Sequence, residues 1–316
     1  MRSTIEIACC VRDENTLRRL RQAIGMRGAH PVEVSWSDIA YGRQVIDSCS
    51  VLIYDLAPHD RRTSRVIGQF RASVPGGPIL LYVPQVPEAG PLLDQYAGRP
   101  GVLVRLQCGG DFESRRLQDD MGRLFDRMCG HQLEKMILNS VPGLSDRLNE
   151  CVSVAIQMIS SRNGSVGLST ATVAGQMEIT LRTLQRAFDH RRFPKPKEFL
   201  TWITLLYVTA VACQSFQSPN KVAKRMGMHK TTIDRMRRRL LSPERLESWR
   251  KYSGPGPRRF ELVFSAFLEA CGLDDNIARN QASNELSRID WGQEYNPLCT
   301  DSGIAISNPS CLRLAL

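Results

Sequence analysis

No two of the ten cysteines have the spacing of a metal or redox site. There is no C-x-x-C and no Cys/His box. Cys9 and Cys10 are adjacent in an apolar run, and Cys108, Cys129, Cys151, Cys213 and Cys271 are scattered. They are expected to be small buried apolar residues in a reducing cytoplasm, with no metal and no cofactor. The N-terminus lacks a basic stretch followed by an apolar one, so no secretory signal is expected. A long apolar run is missing too. The longest uncharged stretch, Phe199 to Asn220, turns polar after Cys213, and its apolar part is too short to span a bilayer. It is expected to be a helix buried between two modules, with no membrane partner. Enzymes that cut or join DNA need a carboxylate triad for metal, or a nucleophilic Ser or Tyr beside arginines. The acidic pair near strands, Asp13 and Asp55, does not supply one. The expectation is a non-enzyme, with a recombinase or transposase as the reading that this absence disfavours.

What is present points to a polyanion. A chain of 316 residues can hold two cores, and 42% apolar with 23% charged residues is ordinary globular composition. The net charge is +10, and it is uneven. Thr180 to Arg250 carries sixteen Lys and Arg against five Asp and Glu, an excess of +11, so the rest is about neutral. Charge confined to one module suggests nucleic acid, against the plainer reading of a solvated basic face.

The same region contains a pattern that occurs twice, offset by 49 residues. Ser169 matches Ser218, Val173 matches Val222, Ala174 matches Ala223 and Met177 matches Met226. Ile179 then matches Met228, Thr183 matches Thr232, Leu184 matches Ile233 and Arg186 matches Arg235. This is helix-turn-helix logic. Ala174 and Ala223 are small where two backbones cross, and Val173 with Met177, like Val222 with Met226, face the core four residues apart. The turns follow at Glu178 and Gly227. Gly227 suits a left-handed conformation, whereas Glu178 is mildly penalised there. Ser169 and Ser218 are N-caps, and Pro219 fits a first helical position. The second helices bury Leu184 with Ala187 and Phe188, or Ile233 with Met236.

The run Val173-Ala-Gly-Gln-Met-Glu-Ile-Thr-Leu-Arg-Thr-Leu-Gln-Arg-Ala-Phe, with Pro196-Lys-Glu-Phe-Leu after it, resembles the DNA-binding domain of AraC-type transcription regulators over residues 166–245. Departures are Thr204, where that family usually has Arg, Met228 in place of Phe, and a second unit one residue shorter. The resemblance implies two helix-turn-helix units joined by one long helix, here Pro196 to Ala212 and about 25 Å long. Such a link can set two recognition helices about 34 Å apart, one turn of double-stranded DNA. Recognition candidates are Thr180, Arg182, Thr183, Gln185 and Arg186 in the first unit and His229, Lys230, Thr231, Thr232 and Arg235 in the second. Arg can bridge guanine, Gln can pair adenine and Thr can meet a thymine methyl. Arg186 and Arg235 could instead form ion pairs within the domain. Arg237, Arg238 and Arg239 form the densest charge run and are expected to hold phosphates.

Residues 1–126 alternate apolar runs with amphipathic stretches. Strands are expected at Ile5–Val11, Val32–Val34, Val51–Tyr54, Ile79–Val83 and Val102–Leu106. Helices are expected at Glu14–Met26, Ser37–Asp47, Ser64–Ala72 and Phe112–Phe125. The implied fold is α/β, a doubly wound parallel five-stranded sheet, ahead of an all-α C-terminal part. Order and length resemble the receiver domain of bacterial response regulators. Asp55 ends the third strand, where a receiver accepts phosphate, and Asp13 with Glu14 follows the first, where a receiver binds magnesium. But Tyr82 replaces the Ser or Thr of the fourth strand, Leu106-Gln-Cys-Gly-Gly lacks the lysine, and Arg12 stands at the first acidic position. The resemblance therefore implies a receiver-like domain that no longer uses phosphate and instead dimerises or senses a small-molecule or protein signal. The alternative is a regulator gated by phosphorylation of Asp55.

Residues 127–165 read as a connector with helices at Gln132–Leu138 and Ser145–Ser161. Leu148, Val152, Ala155 and Met158 form a stripe that suits either a homodimer partner or the chain's own core. Ser160-Ser-Arg-Asn-Gly-Ser is turn composition and marks a boundary. The DNA-binding domain is placed at 166–250. In the remainder, 251–316, a helix is expected at Phe260–Ala270, and disorder after about Asp275.

Overall fold

The computed structural model describes residues 6–12, 14–25, 30–33, 49–55, 63–74, 77–84, 96, 102–107, 114–141, 143–160, 168–189, 193–215, 217–252 and 256–287. The expected helix at Ser37–Asp47, with Val34, Asp13, Cys108 and the chain beyond 287, lies outside them.

In the N-terminal part, strands β1 (Glu6–Cys10), β2 (His30–Glu33), β3 (Val51–Asp55), β4 (Ile79–Pro84) and β5 (Val102–Gln107) pair in the order β2-β1-β3-β4-β5. Every pairing is parallel. Helices α1 (Glu14–Gly25) and α2 (Thr63–Ser73) alternate with the strands. The strands are near-continuous apolar runs because both faces are covered. Ile7, Cys9, Val51, Ile53 and Leu80 share one cluster with Leu20 and Ile24 of α1 and with Met121, Leu124 and Met128 further along the chain. Ala8, Cys10, Leu52, Tyr54 and Leu81 share the other with Val66, Ile67 and Phe70 of α2.

The boundary expected near residue 126 falls inside a helix. The sequence pattern predicts separate helices at Phe112–Phe125 and Gln132–Leu138; the described residues of both, from Ser114 on, belong to one helix, α3 (Ser114–Ser140), 27 residues long. Nothing in its sequence stops it, and Gly130 has another use. A Cβ there would lie 3.0 Å from Ile156 Cγ2 and 3.3 Å from Tyr207 Cε2. The glycine lets α3 lie close against its neighbours while its earlier turns cover the sheet.

The helical part has one core, not three segments. It comprises α4 (Asp146–Ser160), α5 (Thr170–Gln176), α6 (Leu181–Asp189), α7 (Pro196–Gln214), α8 (Pro219–Arg225), α9 (Lys230–Leu240), α10 (Pro243–Lys251), α11 (Pro257–Ala270) and α12 (Asp275–Ser287). A single cluster runs from Cys129 and Leu133 through Val173, Leu184, Phe199, Ile233 and Phe267 to Leu286. Leu148, Val152 and Ala155 are buried in it and Met158 packs against it, so the stripe on α4 is core and not a subunit interface. The connector is thus part of the same body as the repeat. Helix α7 is its axle: every residue from Trp202 to Cys213 is buried, with Thr204 and Thr209 capping their hydroxyls on Leu200 O and Leu205 O at 2.8 and 2.7 Å. The Thr204 hydroxyl is thereby satisfied inside the core.

Disorder after Asp275 is corrected up to Ser287. Helix α12 buries Ala278, Ala282 and Leu286, spaced by four, and Arg279 bridges Asp275 at 2.7 Å on its outer side. Alanines carry little hydrophobic signal, which hides this stripe in the sequence. Burial pushes the thiols of Cys9, Cys10, Cys151 and Cys213 up to about 12, so they behave as small apolar residues. Among the described residues no single helix is long and apolar enough to cross a membrane.

Candidate nucleic-acid interface

The sequence repeat is also a repeat of hydrogen bonds. In the first unit Met177 N donates to Val173 O at 3.0 Å, Glu178 N to Gly175 O at 3.2 Å and Ile179 N to Ala174 O at 3.0 Å. Forty-nine residues on, Met226 N donates to Val222 O at 3.0 Å, Gly227 N to Lys224 O at 3.0 Å and Met228 N to Ala223 O at 2.9 Å. The turn residue is left-handed in both, with φ 55° at Glu178 and 72° at Gly227. Val173, Val222, Ala223, Leu184 and Ile233 are completely buried, and Ala174 nearly so. Each unit therefore has a short first helix crossing a second, with its inner face fixed to α7.

The helix starts are capped by their own side chains. Ser169 and Thr172 exchange hydrogen bonds, each backbone N–H donating to the other's hydroxyl at 3.1 Å. Ser218 accepts from Lys221 N at 3.3 Å, with Pro219 next. These caps satisfy donors that a helix start leaves open. Thr180 caps α6, accepting from Thr183 N at 3.1 Å, and its hydroxyl is bonded to that of Thr183 at 2.8 Å. His229 caps α9: its Nδ1 accepts from Thr231 N at 3.4 Å.

With the inner faces fixed, the outward residues follow. Arg182, Gln185 and Arg186 on α6 are exposed, as are Thr180 before it and Leu181 at its first position. On the second unit His229, Thr231, Arg235, Arg238 and Arg239 are exposed. Lys230 opens α9, but its side chain lies outside the described residues. Thr183 and Thr232 are half-buried. Arg186 and Arg235 form no ion pair with the described residues, which leaves both guanidinium groups available.

Arg237 departs from the expected phosphate-binding run. Its guanidinium lies 4.8 Å from the centre of the Trp249 ring, forms an ion pair with Asp234, and is largely covered. Arg259 lies 5.1 Å from the same ring and donates to Tyr252 O. Burial, and then the positive neighbours Arg259, Arg238 and Arg250, pull the Arg237 pKa below its ordinary value. In helical spacing three consecutive arginines cannot share one face, and this one faces α10 and α11. Trp249 is the partner that sequence reading passed over; a tryptophan just after a basic run was the available signal.

The C-terminal end of the central strand holds the other candidate site. Asp55 ends β3, is 8% exposed, and accepts from the backbone N–H of Arg12 at 3.4 Å. Strand register sets it beside Tyr82, and β5 ends at Gln107 beside Pro84. Among the described residues Arg12 and Tyr82 are thus the neighbours of Asp55. Among the described residues no group of three or more His, Cys, Asp or Glu could hold a metal ion.

Compared with known proteins, the chain matches no family model, no curated protein and no solved structure.

Proposed function

We propose that this chain is a sequence-specific DNA-binding transcription regulator, AraC-like in its two helix-turn-helix units, which reads the major groove with α6 and α9. The observation that carries the reading is the doubled turn. Identical hydrogen bonds recur at a fixed offset on both ends of one buried helix, and each unit turns arginines outward. A packing module needs the inner face only; it has no need of Arg182, Gln185 and Arg186 in one unit and Arg235, Arg238 and Arg239 in the other. Arg and Gln are the side chains that pair two-pronged with guanine and adenine, and the local excess of positive charge supplies phosphate affinity. Selection of duplexes from a random pool by the intact chain tests this, and a shared sequence motif is expected.

The N-terminal domain is proposed as a receiver-like, doubly wound five-stranded sheet that works without phosphate, in a cytoplasmic protein. Its roles are to sense a small-molecule or protein signal and to hold a homodimer. The dimer would form through this domain, since the α4 stripe is spent inside the chain. The second reading is a phosphorylation-gated regulator, favoured by one observation, a buried carboxylate at the end of the third strand. Treatment with a small phosphodonor and magnesium separates the two. No phosphate on Asp55 is expected; a stoichiometric phosphate, absent from Asp55→Asn, supports gating.

A further inference from the structure

The two recognition helices differ chemically at their first position. Leu181 opens α6, and 49 residues on Lys230 opens α9. Leu181 is 40% exposed, and among the described residues Ile277 is the other large apolar side chain left open to water. Single exposed leucines are common on protein surfaces, but this one stands at the end of the helix that reaches base edges in a helix-turn-helix. The threonine hydroxyls beside it are already engaged with each other. The Thr180 hydroxyl caps Thr183 N at 3.1 Å and is bonded to the Thr183 hydroxyl at 2.8 Å. This end of α6 therefore offers an apolar surface flanked by Arg182, Gln185 and Arg186. In the major groove the apolar feature of the base edges is the C5 methyl of thymine.

We propose that Leu181 is a specificity-determining residue of the first unit, packing against the C5 methyl of one thymine in the major groove. This rests on the DNA-reading function proposed above. Lys230, at the equivalent position, has a cationic tip, so methyl recognition belongs to the half of the site under α6.

The test uses the intact chain and a duplex it selects from a random pool. Each thymine is replaced in turn by deoxyuridine, which removes the methyl and keeps the base pair. One replacement, under α6, is expected to weaken wild-type binding about three- to fivefold, the worth of one buried methyl group. Leu181→Ala should bind the thymine duplex more weakly and be indifferent to that replacement, while Leu181→Met restores a penalty. The inference is overturned if no replacement affects the wild type, or if the same penalty persists in Leu181→Ala. A chain that selects no sequence at all overturns the DNA reading itself, an outcome distinct from a selected site without a uracil effect.

Discussion

Nη2 of Arg225 lies 2.7 and 2.9 Å from the two carboxylate oxygens of Asp126, 99 residues earlier in the chain. Asp126 is on α3, part of which covers the sheet, and Arg225 is in the last turn of the second unit's first helix. The carbonyl of Asp126 also accepts from the buried Tyr207 hydroxyl at 3.0 Å, and Gln132 accepts from Gln214 Nε2 at 2.7 Å. Helix α3 thus joins the sheet to the helical body through defined contacts.

Cutting the chain at the expected boundary should unfold the helical body. A fragment beginning at Ser165 lacks α3 and α4, whose Leu133, Ile137, Val152 and Ile156 complete the core around α7. It is expected to show no cooperative melting by circular dichroism, whereas a fragment beginning at Ser114 melts cooperatively. A folded, DNA-binding Ser165 fragment would show that the body needs no connector.

The two turn residues should respond oppositely to substitution. A non-glycine residue in the left-handed region costs about 1 kcal/mol, and Glu178 holds φ 55°. Glu178→Gly is expected to raise stability by up to about 1 kcal/mol, and Gly227→Ala to lower it by about 1 kcal/mol, read from denaturant midpoints. Loss of stability in Glu178→Gly would mean that the carboxylate has a role beyond the turn.

Neighbouring arginines should separate stability from affinity. Arg237→Ala removes a guanidinium stacked on Trp249 and bound to Asp234, so stability should fall by about 1–3 kcal/mol. Arg238→Ala leaves an exposed position, so stability should hold within about 0.5 kcal/mol. Binding to all duplexes should weaken alike, with the salt slope falling by about 0.9. Equal effects of the two changes on stability would contradict the different environments assigned to them.

Acid should weaken the fold through His131. Burial first, then the positive Lys135 and Arg71, lower its pKa from 6.5 to about 4, and its buried Nε2 has no hydrogen-bond partner among the described residues. Between those values the unfolded chain takes up a proton that the native state refuses. The native state then binds fewer protons, so stability falls as pH drops from about 6.5 and stops falling below about 4. The full cost is on the order of 3 kcal/mol. His131→Gln should flatten this part of the stability–pH curve; an unchanged slope would assign the acid sensitivity elsewhere.

The repeat was legible because its constraints are local. A turn, a small crossing residue and a capping serine leave marks at fixed spacing, and both copies carry them. The strand positions were legible for a similar reason, since parallel strands buried on both faces are plain apolar runs. The joins were not. That α3 continues past Phe125 depends on Ile156 and Tyr207 accepting the backbone at Gly130, a long-range fit. The inward turn of Arg237 depends on Trp249, which no local pattern connects to it. Helix α12 escaped because its buried stripe is mostly alanine. Leu181 escaped for the opposite reason: an apolar residue in a helix is first taken for core, and only the burial of Leu184 and Phe188 on the other face leaves it outside.

The central claim is that both repeated units read one duplex. A footprint of the intact chain on its selected duplex tests it most directly. Two clusters of protected major-groove positions are predicted, about 34 Å apart on one face of the helix, with Arg182→Ala weakening one cluster and Arg235→Ala the other. A single cluster, indifferent to changes in one of the two helices, would contradict the account and reduce that unit to packing.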